Sequence, residues 1–199
     1  GDKNHSKIEV AIRAALLCVP GIIADNVRKD GGYMYGWLIG GLAALDLGIK
    51  SEIERQEDDA YPRDLPCAKG LIKLHKSHNE GFPFGFLKER PELVKGVPVM
   101  VVSAVAGALG MLMARKGSTA QKIGLSMVLG GAASNLYDRL KRGYVVDYFS
   151  IEWKNLKKVI FNLGDMFVFL GSALFLIAET VSNFGEAAPV REKKIKKEK

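Results

Sequence analysis

The sequence predicts an all-α integral membrane fold with four transmembrane helices. Apolar residues collect in four blocks of 15 to 20 residues, and charged residues collect between the blocks. A helix rises ~1.5 Å per residue, so about 20 residues cross a ~30 Å hydrocarbon core. Composition carries no such signal, because hydrophobic residues make up 48% of the 199 residues and the mean hydropathy is +0.05. The prediction therefore depends on how apolar residues are distributed along the chain.

The four blocks are predicted to be the membrane helices, in chain order. The second block has no internal charge, and the fourth is the longest. The first and third are short for a span, but their paired glycines suit close helix packing in lipid. The blocks run over Tyr33–Ile49, Val97–Ala114, Ile123–Tyr137 and Val159–Ala178.

Charges between the blocks predict the orientation of the helices. The loop 115–122 carries basic residues and no acid, and the segment 191–199 has six basic residues against two acids. The positive-inside rule places both segments in the cytoplasm. Residues 1–32 then form an N-terminal extension with an interfacial amphipathic helix, 33–180 the membrane domain, and 181–199 a basic cytoplasmic tail. A solvated tail without a specific partner is an equally good interpretation of the last segment.

Several classes of site are not indicated. Cys18 and Cys67 lack a CxxC partner and are predicted on opposite sides of the membrane. The three histidines do not have the spacing of a zinc helix motif. We therefore expect no metal and no other cofactor. No stacking aromatics are interleaved with the C-terminal lysines, so we expect no nucleic-acid partner either.

Acidic residues inside the apolar blocks are the main functional signal. A charged Asp at mid-bilayer costs ~2.5–3.5 kcal/mol on insertion scales, so such residues usually face a cavity. Asp46 and Asp138 lie late in blocks one and three, and Asp165 lies about one and a half turns into block four. Asp147 follows Gly143, which permits a tight turn, and the β-branched pair Val-Val. That strand-like segment can return over the helices and bring Asp147 to Asp165.

Two carboxyl groups that meet share one proton, because like charges a few Å apart resist joint ionisation. The ionised group can take a proton from water, and the protonated group can polarise a peptide carbonyl. This is the chemistry of an aspartic peptidase. From these residues alone, helix–helix contact or a proton relay is as good an interpretation of the acids.

A longer pattern around the acids resembles a known family. The stretches GGAASNLYDRLKRGYVVDYFS (130–150) and FNLGD (161–165) resemble the signature of lipoprotein signal peptidases (signal peptidase II). That signature is Gly-Gly-Ala…Asn…Asp-Arg…Gly-x-Val-Val-Asp-Phe, then Phe-Asn-x-Ala-Asp. Upstream, DLGIK (46–50) and NEGFPFG (79–85) look like the family's Asp-x-x-x-Lys and Asn-x-Gly-x-x-Phe-Gly segments. The matching signature positions are Asn135, Asp138, Arg139, Gly143, Val145, Val146, Asp147, Phe161, Asn162 and Asp165.

The resemblance covers roughly residues 33–180 and implies a specific function. Members are four-helix enzymes of the bacterial inner membrane, with a small β-cradle and an active site at the extracytoplasmic face. They remove signal peptides from prolipoproteins by cutting before a diacylglyceryl-modified cysteine. The implied partners are lipidated prolipoproteins and membrane lipid, and we expect a monomer.

The resemblance also implies roles for individual residues. It makes Asp147 and Asp165 the catalytic pair, and Asn79 a contact for substrate. Asp46 and Lys50 are interpreted as structural residues that hold the outer end of the first helix. Lys141 and Arg142 are interpreted as interfacial anchors. Supporting positions around the pair are implied for Asn135, Arg139 and Asn162, and an ion pair between Asp138 and Arg139 is an open alternative.

Some positions depart from the family pattern. Ser134 replaces Gly beside the asparagine, Tyr148 replaces Phe after the first Asp, and Gly164 replaces Ala before the second. Both acids remain, which indicates a divergent branch. Two alternatives stay open: a non-catalytic relative that binds lipoproteins or lipid, and a small transporter with a proton path through Asp46, Asp138 and Asp165.

Overall fold

The computed structural model describes residues 32–81, 89–114, 118–154 and 158–197. The described part contains four long helices and one four-stranded antiparallel sheet. The helices are α1 (Tyr33–Arg55), α2 (Pro91–Met113), α3 (Thr119–Lys141) and α4 (Leu163–Lys197). The strands are β1 (Arg63–Asp64), β2 (Ile72–Asn79), β3 (Val145–Ile151) and β4 (Ile160–Phe161), and single-turn 3-10 helices cover Asp58–Ala60 and Pro66–Ala68.

Each predicted block overlaps one helix, but the boundaries differ. Helix α4 begins at Leu163 and not at Val159, because Ile160 and Phe161 pair with β3 as strand β4. Asp165 is therefore in the first turn of α4, and its predicted depth of one and a half turns was wrong. The helix also continues to Lys197, through most of the segment interpreted as a tail. The predicted interfacial helix and the segments 82–88 and 115–117 lie outside the described residues.

Helix α3 is the central element of the bundle. It packs against α1, α2 and α4, and most of its residues from Gln121 to Gly131 are buried. Its contact with α4 depends on facing glycines. A Cβ placed on Gly131 would lie 2.2 Å from the Gly164 carbonyl oxygen, and one on Gly124 would lie 2.8 Å from that of Gly171. The two pairs are seven residues apart on each helix, so they form a continuous backbone contact, here called the glycine seam.

The sheet covers the ends of α1, α3 and α4. Its strand order is β1-β2-β3-β4, and β2 opposes β3 from Ile72↔Ile151 to Asn79↔Val145. Gly143 has a φ of +87° between α3 and β3, which confirms the predicted glycine turn. The strand that follows is β3, so the predicted strand-like return was also correct.

Among the residues that the structure describes, two helical segments have the length and apolar composition of membrane spans, Glu92–Met113 and Leu163–Phe184. Large apolar side chains on α2 and α4 are exposed, as expected for surfaces that face lipid. They include Met100, Met111, Phe169 and Leu176. Helices α1 and α3 are less apolar because they carry the buried polar residues of the site described next. The helix-rich architecture with a small sheet is thus observed, and two of the four predicted spans meet this criterion.

Candidate active site

The start of α4 is organised by a reciprocal cap between Asn162 and Asp165. The Asp165 backbone N–H donates to Asn162 Oδ1 at 2.9 Å, and the Asn162 backbone N–H donates to Asp165 Oδ2 at 3.3 Å. This is the arrangement of a capping box, in which two N–H groups without intrahelical partners are satisfied together. The Asp165 carboxylate therefore has a fixed place in the first turn, where the positive end of the helix dipole also lies.

Asp147 reaches the same place from the sheet. It lies on β3 opposite Ser77, directly after the register shift that separates the pairs of Leu74 and Ser77. Between Leu74 and Ser77, β2 has one residue more than the opposing part of β3, which forms a β-bulge. The bulge determines how Asp147 and Asn79 face each other. Asn79 Nδ2 donates to Asp147 Oδ2 at 3.1 Å, and the Asp147 residue is 6% exposed.

Asn162 connects the two acids. Its Nδ2 donates to Asp147 Oδ1 at 2.7 Å, while its Oδ1 and backbone N–H bind Asp165. Asn162 itself is fully buried. The structure thus brings Asp147 and Asp165 onto opposite sides of a single asparagine, although 18 residues separate them in the sequence.

The environment favours a proton on this pair. Burial, together with the negative charge of Asp165, raises the pKa of Asp147 to about 6. Hydrogen bonds from Asn79 and Asn162 and the charge of Lys50 oppose this rise only in part. A carboxyl group with such a pKa can exchange a proton near neutral pH, as a general acid or base must.

Asn135 and Lys50 support Asp165 from the other side. Asn135 Nδ2 donates to Asp165 Oδ1 at 2.9 Å, and Lys50 Nζ donates to Asn135 Oδ1 at 2.6 Å. Lys50 is completely buried and also contacts Asp46 Oδ2 at 2.8 Å and Asp138 Oδ2 at 3.2 Å. Of the two residues predicted to hold the outer end of α1, Lys50 is therefore linked to Asp165 through Asn135, and Asp46 is linked to it through Lys50.

Asp138 is held by two cations. Besides Lys50, Arg142 Nη1 binds Asp138 Oδ1, and the Val146 backbone N–H donates to Asp138 Oδ2 at 3.2 Å. Arg142 also donates to Ser51 at 3.1 Å. Its interpretation as an interfacial anchor stays a prediction, and the structure adds that Arg142 ties the end of α3 to α1, because it binds both Asp138 of α3 and Ser51 of α1.

Arg139 and Asn79 hold the segment beside the pair. Arg139 Nη2 donates to the Gly81 carbonyl at 2.8 Å, and the Gly81 backbone N–H donates to Asn79 Oδ1 at 3.2 Å. The Asn79 amide is thereby oriented with its N–H group toward Asp147. Phe84 and Gly85 of the predicted segment lie outside the described residues.

Two contributors to the site were not identified from the sequence. Ser134 and Tyr148 both donate hydrogen bonds to Asp46, at 2.5 and 2.9 Å. The sequence does contain a signal for them: each places a hydroxyl group where the family pattern has Gly or Phe, and a buried hydroxyl group requires a hydrogen-bond partner.

Among the residues that the structure describes, no group of three or more His, Cys, Asp or Glu could hold a metal. The arrangement offers two carboxyl groups joined by one asparagine, with amide donors on both acids and a raised pKa on Asp147. It can activate water and polarise a carbonyl.

Comparisons with known proteins give relatives of this chain. The family model described as signal peptidase (SPase) II matches residues 38–181. The lipoprotein signal peptidase of Aeromonas hydrophila is 34% identical over 157 residues, covering 77% of this chain and 92% of the relative. That of Vibrio parahaemolyticus is 28% identical over 151 residues, covering 75% and 89%. A bacterial membrane enzyme solved by the in meso method at 2.3 Å resolution has a similar fold, with a TM-score of 0.64 at 18% identity over 75% of this chain and 89% of its own.

Proposed function

Because this chain belongs to the signal peptidase II family, we propose that it is an aspartic peptidase whose catalytic pair is Asp147 and Asp165. Its substrates are diacylglyceryl-modified prolipoproteins, from which it removes the signal peptide. The observation that carries the proposal is the bridge by Asn162, which binds both carboxyl groups at once. Neutral amides contact both acids, so one proton can be retained between them.

The pair can perform hydrolysis with no further group. The ionised carboxylate takes a proton from water, and the water oxygen attacks the scissile carbonyl carbon. The protonated carboxyl donates to the carbonyl oxygen, which carries the developing negative charge. The tetrahedral intermediate then collapses: the C–N bond breaks, and the leaving amine takes the proton from the first carboxyl group. One hydroxyl of the intermediate returns its proton to the second carboxylate as the C=O bond of the product re-forms. Each acid ends ready for a second cycle once the proton is again shared.

Asn79 and the Gly81 backbone are proposed to contact the substrate. They lie on the outer side of Asp147, and Arg139 holds them through the Gly81 carbonyl. Asn79 is only partly buried, unlike Asn162, so a substrate carbonyl can reach its amide. Asn135, Asn162 and Lys50 are proposed to fix the acids and not to contact substrate.

A four-span topology is proposed for the membrane domain. Helices α1, α2 and α3 each have 23 residues, long enough at ~1.5 Å per residue to cross a ~30 Å core. The glycine seam holds α3 antiparallel against the span Leu163–Phe184, so both helices occupy the same depth. The basic segments at the other end favour an extracytoplasmic site at the membrane face. A lipid-anchored substrate then reaches the pair from the bilayer, with the enzyme acting as a monomer and without nucleic acid.

The test is cleavage of a diacylglyceryl-modified precursor, followed as a gel shift. Asp147→Asn and Asp165→Asn are each expected to lower the rate by about 10⁴-fold, since neither amide can accept the water's proton. The control is Asp59→Asn, which removes an exposed acid from the same outer region. Wild-type rates in either pair variant would reject the proposal. Binding of the precursor without any product in the wild type would favour the non-catalytic alternative.

A further inference from the structure

Two buried hydroxyl groups lie outside the proposed catalytic pair but are connected to it. They belong to Ser134 on α3 and Tyr148 on β3, which are 0% and 4% exposed. Each is bound to the carboxylate of Asp46, and each departs from the family pattern described above. A hydroxyl group buried this deeply costs free energy unless its hydrogen bonds are satisfied, so their partners indicate what they do.

Tyr148 connects Asp46 to the start of α4. Its hydroxyl donates to Asp46 Oδ1 at 2.9 Å and accepts from the Leu163 backbone N–H at 3.0 Å. Leu163 is the first residue of α4, and its N–H has no partner within the helix. Burial and the charge of Asp46 raise the pKa of Tyr148, so the phenol stays protonated and continues to donate.

A second contact lies directly beside the bond between Tyr148 and Leu163. The consecutive residues Asp147 and Tyr148 bind the consecutive residues Asn162 and Leu163, one through a side-chain amide and the other through a backbone N–H. A movement of Tyr148 therefore changes the separation between β3 and the turn that carries Asp165.

Ser134 connects Asp46 to Lys50. Its hydroxyl donates to Asp46 Oδ2 at 2.5 Å and accepts from Lys50 Nζ at 3.3 Å. With both hydroxyls in place, each Asp46 oxygen has a neutral donor. Lys50 keeps capacity for the Asn135 side-chain oxygen at 2.6 Å. Because that bond occupies the Asn135 oxygen, the Asn135 nitrogen must face Asp165.

We propose that Tyr148 and Ser134 are positioning residues for catalysis, which act by way of Asp46 and Lys50 on the orientation of Asn135 and on the first turn of α4. The inference rests on the proposed function, because it concerns the placement of Asp165. Neither hydroxyl contacts substrate. Without them, Asp46 binds Lys50 more closely, and Lys50 moves away from Asn135 and from the pair.

The experiment measures kcat, KM and their pH dependence for Tyr148→Phe and Ser134→Ala with a diacylglyceryl-modified precursor. We expect kcat to fall about tenfold with KM within about twofold, because orientation of the pair is lost while binding is kept. Since Lys50 holds down the pKa of Asp147, its withdrawal also moves the alkaline limb of the profile to higher pH. The matched control is Tyr144→Phe, which removes a hydroxyl bound at 3.0 Å to another carboxylate, that of Glu54.

The outcomes separate this inference from the proposed function. A lower kcat and a shifted limb in Tyr148→Phe and Ser134→Ala, with neither change in Tyr144→Phe, support it. If all three variants lose activity only in proportion to their folded fraction, the hydroxyls are structural and the inference is overturned. Unchanged kcat and pH profile also overturn it, while Asp147→Asn and Asp165→Asn would still be inactive. Should Tyr148→Phe fail to fold, Ser134→Ala decides alone.

Discussion

Two groups of buried carboxylates lie side by side at the same end of the helices, and they differ in their partners. Asp46 and Asp138 are fully buried and contact the cation of Lys50, with Arg142 on Asp138. Asp147 and Asp165 receive the side-chain amides of Asn79, Asn135 and Asn162. The first group is suited to keep fixed charges that hold elements together. The second can gain and lose a proton, because amide partners stabilise a carboxylate less than a nearby cation does.

The comparison teaches that the type of buried residue does not decide its role. All four residues are aspartates within one polar region, and the insertion cost that made Asp46, Asp138 and Asp165 candidates applies to members of both groups. What separates them is whether a cation or an amide occupies the space next to the carboxyl group. Lys50 contacts both groups: it forms ion pairs with Asp46 and Asp138, and it orients Asn135, which binds Asp165.

The largest effect is expected from breaking the fixed-charge group. Lys50→Met conserves approximate length but leaves two buried carboxylates without their shared cation. We expect the free energy of unfolding to fall by about 3–5 kcal/mol, the usual cost of removing one partner of a buried pair. Thermal unfolding in detergent, followed by tryptophan fluorescence, measures this. A loss below about 1 kcal/mol would show that the two groups do not differ as described.

For the second group, Asp147 and Asp165, the raised pKa of Asp147 predicts that the free energy of unfolding depends on pH. Asp147 has a pKa of about 6 in the folded chain, against 3.8 for an ordinary aspartate side chain. Between these values the folded carboxyl is protonated while the unfolded one is ionised, so the free energy of unfolding falls as pH rises from 4 to 6. The loss is about 2–3 kcal/mol.

The Asp147→Asn variant lacks this contribution. The stability of the wild type relative to the variant is therefore expected to decrease over the same pH interval. Melting temperatures of both proteins between pH 4 and 7 test this, and parallel curves would contradict the assignment.

The same pKa predicts a pH dependence of activity. Above about pH 6 Asp147 becomes ionised, and the pair loses the proton that polarises the carbonyl. Because kcat/KM reports the free enzyme, it is expected to fall about tenfold per pH unit on its alkaline limb. Initial rates at low precursor concentration from pH 5 to 9 measure the limb. A flat profile over that range would argue against a shared proton.

The smallest effect is expected from a charge pair outside both groups. Arg55 binds Glu52 at 3.1 Å, and both side chains are more than half exposed. Arg55→Gln is expected to change the free energy of unfolding by less than about 0.5 kcal/mol, since solvent screens such pairs. Cleavage rates should equal those of the wild type. A larger loss of stability would mean that this exposed ion pair contributes as much as the buried pairs of Asp46 and Asp138, which would contradict the distinction drawn between them.

The sequence predicted the parts of the site that depend on local spacing. Gly143 with the β-branched pair predicts the turn and β3, and both are observed. The cap that Asn162 and Asp165 form at the start of α4 was not predicted, because the helix was expected to begin at Val159. The sequence did not reveal that Arg142 binds Asp138 and Ser51, or that Tyr148 and Ser134 bind Asp46. Tyr148 and Asp46 are 102 residues apart, and such contacts are set by how α1, α3 and the sheet pack together. The start of α4 was misplaced because Ile160 and Phe161 are apolar enough for either a helix or an edge strand.

The glycine seam has a consequence for how the enzyme responds to its bilayer. A helix pair joined by backbone contact at two levels tilts as one body when the surrounding lipid is thicker or thinner. Asn135 follows Gly131 by one turn, and Asp165 directly follows Gly164, so both travel with the seam. The hydrogen bond between them is thereby insulated from hydrophobic mismatch, and turnover should tolerate a wide range of acyl-chain lengths.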